Sequence, residues 1–135
     1  MNIVKEEYIE KYQKFLAPSA ARLEVHLKEM LKGIPRIDNI CTRAKSIDRF
    51  VGKAEKRDDD TGELKYLNPL DEIQDQVGAR VVVFYLSDVV AVSELIKERF
   101  AYVENTKKAP NSEKEFGYFG EHFILQLPTD VTYGL

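Results

Sequence analysis

At 135 residues, with 44% hydrophobic and 32% charged residues, the chain is sized for one compact domain that buries its core without disulfides or structural metals. Seven glycines and five prolines exclude a low-complexity chain. The sequence has neither an apolar run near the ~20 residues of a membrane span nor a cationic flank leading an apolar stretch at Met1–Glu10, so the expected location is the cytoplasm, with no membrane partner.

A net charge of −3 argues against whole-surface attraction to nucleic acid or anionic lipid. Charge is nevertheless uneven: from Arg36 to Arg57 there are seven basic residues against three acidic ones. The single cysteine, Cys41, lies among Ile37, Ile40 and Thr42 and is expected to be a small core residue of a reduced protein.

In chain order, Tyr8, Tyr12, Phe15 and Leu16 recur at helical spacing, and Pro18 is expected to end that helix before Ser19 caps a second one. The second helix carries Leu23, Leu27, Met30 and Leu31 and should stop at Gly33 and Pro35. His26 has no partner at metal-ligand spacing and is expected at the surface. Arg36 to Ala44 is expected to be a strand that feeds a helix starting near Ser46, with Ile47, Phe50, Val51 and Ala54 on a packing side and Lys45, Arg49, Lys53 and Lys56 on a cationic side. The run from Asp58 to Asn68 should be an exposed loop.

A short helix around Leu70 to Asp75 should precede a central strand, Ala79 to Tyr85, whose run of valines suggests burial on both faces. Ser87 and Asp88 should cap a helix with Val89, Val92, Leu95, Ile96 and Phe100 inward. A strand-like Ala101 to Glu104, a lysine-rich loop from Asn105 to Glu115, and a strand from His122 to Leu127 complete the order. Helices interleaved with strands indicate an α+β, or mixed α/β, domain in which helices flank a mixed sheet. Residues 1–34 are expected to pack as a helical pair on a core formed by 35–135.

Three segments carry chemistry. In RAKSIDRFVGK (Arg43 to Lys53), cations stand where a strand meets a helix N-terminus, whose exposed N–H groups favour phosphate. The alternative is a solvated basic face. In DQVGARVVVFY, Asp75 precedes the strand and Arg80 lies within it; a carboxylate there suits Mg²⁺ on a nucleotide, or an ordinary ion pair with an arginine. In EFGYFGEHF, Tyr118 is able to stack on a base and His122 to bond a phosphate or base edge, unless the segment is a hairpin packed on the sheet.

Taken together, in this order and separation, the segments resemble the synthetase domain of the RelA/SpoT family from about Ile37 to Leu127. Arg43, Lys45, Ser46 and Lys53 match its first motif, with Arg49 in place of a second serine; Asp75, Gly78 and Arg80 match the second; Gly117, Tyr118 and His122 match the third, with Gly120 where serine is usual.

The resemblance implies a nucleotidyltransferase-like fold that moves pyrophosphate from ATP to the 3′-hydroxyl of GDP or GTP. It implies ATP at Arg43, Lys45, Ser46, Arg49, Lys53 and Arg80, Mg²⁺ at Asp75, and the acceptor at Lys107, Lys108, Tyr118 and His122. It allows a homo-oligomer. The family's later Glu-x-Gln-x-Arg, which carries its catalytic glutamate, does not occur in these 135 residues, so the resemblance implies binding without efficient transfer by this chain alone. Two other functions stay open: a non-catalytic nucleotide sensor or interaction module, and a toxin-type relative that modifies adenine nucleotides or the 3′ end of tRNA.

Overall fold

The computed structural model describes residues 2–108 and 120–135. Residues 2–31 form a continuous helical run: α1 (Asn2–Lys11), a single π-helical turn (Tyr12–Leu16) and α2 (Ala17–Leu31). The expected break at Pro18 is absent. Proline lacks an N–H and crowds the carbonyl four residues back, but here the preceding turn is widened, with the Ala17 N–H bonding Tyr12 O five residues back. The widened turn takes up the misfit, so Pro18 sits near the start of α2 without ending the run. Ser19 is therefore no cap. It is fully buried, and its hydroxyl has no partner among the described residues.

Ala20, Leu23, Leu27 and Leu31 form the buried stripe of α2 at three- and four-residue spacing, as the sequence suggests, while Met30 packs at the edge. His26 sets its ring edge-on to Phe100 at 5.8 Å.

After a turn closed by Ile34 N–H to Leu31 O (3.0 Å), β1 (Ile37–Ala44) pairs antiparallel with β2 (Val77–Val83). Alternation gives the pair two faces. Ile40, Thr42 and Ala44 turn toward α2, where the Thr42 hydroxyl donates to Ala20 O at 2.6 Å. Asn39, Cys41 and Arg43 turn outward, and across the ladder Arg80 stands opposite Cys41 and Gly78 opposite Arg43. Cys41 is thus exposed rather than a core residue. Its apolar neighbours in sequence belong to the other face.

Nor is β2 a central strand. Among the described residues it pairs with β1 alone, its valines are half-buried, and Phe84 and Tyr85 lie beyond its end with about 60% of their surface exposed. An apolar run reads the same whether a strand is covered on one face or two, and only the neighbours decide.

Helix α3 (Ile47–Ala54) is capped by Ser46, whose Oγ accepts from Arg49 N–H at 3.3 Å. Phe50 and Ala54 of α3 are fully buried with Tyr8, Leu16 and Ile73. The polar run after α3 is exposed, as expected, but hydrogen-bonded: Arg57 bridges Leu64, Asp58 Oδ1 accepts from Asp60 and Thr61 N–H, and Gly62 takes φ +72°. Helix α4 is only Pro69–Glu72, which leaves Asp75 in the turn before β2.

Helix α5 (Leu86–Arg99) has Tyr85 rather than Ser87 at its N-cap, while Asp88 does cap it, from the first turn: its carboxylate accepts from Tyr85 N–H at 3.1 Å. Arg36 grips the same buried carboxylate with two nitrogens, at 2.7 and 3.1 Å. That grip holds the Asp88 carboxyl below its ordinary value and holds Arg36 itself at φ +63°, a conformation rare outside glycine.

Strand β3 (Tyr102–Lys108) runs four residues past its expected end and pairs antiparallel with β4 (Gly120–Leu125); a short α6 (Thr129–Thr132) follows. Phe100 and Val131 pack with Leu23 and Leu27 in a second buried cluster. The fold is α+β, but among the described residues its strands form two separate antiparallel pairs rather than one mixed sheet. No described helix is long and apolar enough to cross a membrane.

Candidate functional site

The ladder of β1 ends at Ala44, so the next peptide, that of Lys45, must find its hydrogen bonds elsewhere. Its N–H donates to Gln76 O at 2.7 Å, and its carbonyl accepts from the Tyr8 hydroxyl at 2.6 Å. Gln76 is in turn tied by its amide nitrogen to Leu70 O and Ile73 O. With its backbone held on both sides, Lys45 directs its ammonium to Asp75 Oδ2 at 2.8 Å, while Lys53, two turns along α3, reaches Oδ1 of the same carboxylate at 3.0 Å.

Two cations therefore share one acid. Lys45 is buried, at 8% exposure, and does not belong to a solvated face of α3; it stands before the helix cap. Burial alone would raise the Asp75 carboxyl, but hydrogen bonds and charge from Lys45 and Lys53 outweigh it and hold the group below its ordinary 3.8. Tyr8 is pushed up to about 12, chiefly by burial, with Tyr12 and Asp75 raising it and Arg43 lowering it; its hydroxyl thus stays protonated at neutral pH.

Arg43 lies across Gly78, its guanidinium carbon 3.8 Å from where a side-chain carbon on that glycine would stand. An alanine would make only ordinary contact there, so close packing does not require glycine. Arg80 is exposed one strand pair farther along the same outward face, and Arg49 is exposed on α3. The structure thus gathers Arg43, Lys45, Lys53 and Asp75 at the β1–α3 junction, places Arg80 on the adjoining sheet face, and uses Ser46 as a cap.

The residues expected on the acceptor side lie on the other sheet. Lys107 is exposed opposite Glu121, and His122 is exposed opposite Thr106. Lys108 pairs through its backbone with Gly120. Gly117 and Tyr118 lie outside the described residues. Alternation turns Lys107 away from the face of His122, so the ladder does not bring these two expected acceptor residues together, and it turns away with Lys107 its cross-strand partner Glu121. The Glu121 side chain is buried under α5, with Lys97 Nζ 3.7 Å away, so it does not stand in for a carboxylate beside His122.

Among the described residues no group of three or more His, Cys, Asp or Glu is arranged to hold a metal ion, and both oxygens of Asp75 already accept from lysine. Asp75 is therefore engaged by the two lysines and is not, as it stands, the ligand of an ion held by the protein alone. Concavity is a poor guide here. A hollow of about 770 Å³ between α2 and α6 contains none of these site cations, whereas a shallower groove of about 300 Å³ borders Arg43 and Thr42. The convergence of charge at the β1–α3 junction is the more distinctive feature.

Tyr8 and Gln76 were not among the residues the sequence singles out. Neither has a motif, and their role depends on contacts made 37 and 31 positions away along the chain.

No curated protein and no solved structure matches the chain. Residues 42–134, more than half of the chain, match the family model described as the region found in RelA / SpoT proteins. That span takes in the whole cation cluster, both strands of the second sheet and the segment between them, and on this match the chain belongs to the RelA/SpoT family.

Proposed function

We propose that the chain binds ATP with its phosphates on Arg43, Lys45, Lys53 and Arg80, and presents it to GDP or GTP held by Lys108, Tyr118 and His122 for pyrophosphate transfer to the acceptor 3′-hydroxyl. The observation that carries this reading is the single carboxylate shared by two lysines at a strand–helix junction. Asp75 holds the ammonium groups a few ångströms apart and serves as their resident counter-anion. An incoming phosphate chain offers several oxygens in its place, each able to accept a charge-assisted bond.

The exchange leaves Asp75 to be neutralised, and a Mg²⁺ brought by the nucleotide suits that role. Such an ion would supply charge neutralisation on the phosphates, while Lys45 and Lys53 orient them and Arg43 and Arg80 extend the positive face. Ser46 and Arg49 contribute through the start of α3: Ser46 fixes the first turn, and Arg49 is an exposed cation one turn from Lys53.

The test is calorimetric titration with an ATP analogue resistant to hydrolysis, in Mg²⁺. Arg43→Ala and Lys45→Ala should each weaken binding by roughly ten- to a hundredfold, the size of a lost charge-assisted contact of about 1.5–3 kcal/mol. Parent-like affinity in both variants would reduce the cluster to a structural ion pair. Titrating GDP, GTP, ATP and a tRNA 3′-end mimic into protein saturated with the ATP analogue then identifies the acceptor by binding, with guanine expected.

A further inference from the structure

Helix α1 lies outside residues 42–134, yet one of its side chains reaches the middle of the site. Tyr8 does two things at once. Its hydroxyl donates to Lys45 O at 2.6 Å, and its ring stacks on Phe50 with centroids 3.8 Å apart and planes within 5°. Lys45 has no strand partner for its peptide, so the Tyr8 hydroxyl and Gln76 O are what fix the root of its side chain. Phe50 lies one turn before Lys53 on α3, so the stacked ring also sets the helix from which the second lysine reaches Asp75. Both lysines of the clamp are thus referred to one tyrosine.

We propose that Tyr8 is a positioning residue of the polyphosphate site: it sets Lys45 through the carbonyl and Lys53 through Phe50, which makes α1 a working part of nucleotide binding. The inference rests on the reading of Lys45 and Lys53 given under Proposed function.

Tyr8→Phe tests it, because the ring and its stacking remain while the hydroxyl is lost. Thr42→Val is the control; it deletes a hydroxyl-to-carbonyl bond of the same length, 2.6 Å to Ala20 O, on the covered face of β1. Tyr8→Phe should weaken ATP binding about three- to tenfold, the effect of one lost hydrogen bond, whereas Thr42→Val should lower the melting temperature comparably and leave ATP affinity unchanged. Amine acylation read by mass spectrometry supplies a measurement that needs no nucleotide. Lys45 should be labelled several-fold faster in Tyr8→Phe than in the parent, with Lys28, exposed on α2, unchanged.

Parent-like ATP affinity together with parent-like labelling of Lys45 in Tyr8→Phe would overturn the proposal, as would an equal loss of affinity in Thr42→Val. If the parent itself binds no ATP, the reading of the site fails. Labelling of Lys45 then still decides the positioning role: faster labelling upholds it and unchanged labelling rejects it.

Discussion

The two ends of the proposed reaction are built differently. At the β1–α3 junction, three separate segments converge around Lys45: Tyr8 from α1, Gln76 and Asp75 from the turn before β2, and Lys53, which reaches the same Asp75 carboxylate, from α3. On the β3–β4 pair, Lys107 and His122 stand exposed on regular strands, on opposite faces of the ladder by strand alternation. The first region holds its cations in place before any ligand arrives, and the second presents side chains on an open ladder. Preorganisation at the proposed phosphate site lowers the ordering cost of binding the group common to every nucleotide.

The largest effect should come from the packing beneath the first region. Phe50→Ala removes a fully buried ring from between Tyr8 and the rest of the cluster, at a cost of about 3–5 kcal/mol of stability. Thermal unfolding should show that loss, and ATP affinity should fall with it. If stability drops while ATP affinity is kept, the packing of α3 does not position Lys53, and the contrast between the regions weakens.

A smaller and more selective effect belongs to the second region. Tyr118→Ala should weaken acceptor binding about five- to a hundredfold, the range for a lost base–aromatic stack, with ATP affinity nearly unchanged, and Tyr118→Phe should bind as the parent does. Titration with the ATP analogue alone, and with GDP into protein saturated by that analogue, measures the two affinities separately. Joint loss of both nucleotides would mean the two regions are not independent.

These expectations rest unequally on sequence and structure. The helix beginning near Ser46 and the buried stripe of α2 were both legible, because each is a local pattern of spacing, whereas the capping role of Ser46 came only from the structure. Pro18 misled, since its usual effect assumes a regular ladder and a single widened turn changes that. Cys41 and the valines of β2 misled for a related reason: which face of a strand is covered depends on its neighbours, and composition does not report them. The cations of the site could be named from their motif. Their sharing of Asp75 could not, because that carboxylate lies 30 and 22 positions from the lysines and the same residues would fit an open metal ligand.

The smallest expected effect is on pH dependence. The lowered folded-state value of Asp75 means that its paired carboxylate stabilises the fold at pH above 3.8 and that this contribution is lost as the pH falls through the lower folded value. The stability difference between the parent and Asp75→Asn should therefore be constant from pH 7 to 5 and shrink on acidification below 3.8. Denaturant unfolding across that range measures it. A difference that instead changes around neutral pH would assign the effect to another group.

The most direct test of the clamp is the affinity of Asp75→Asn for ATP in the absence of any divalent cation. If Asp75 is the counter-anion that a phosphate chain must replace, removing its charge should strengthen metal-free binding about tenfold, or about 1.4 kcal/mol, while the further gain that Mg²⁺ gives the parent should largely disappear. Metal-free binding that is unchanged or weaker in Asp75→Asn would show that phosphates do not compete with Asp75 for Lys45 and Lys53, and would contradict the account.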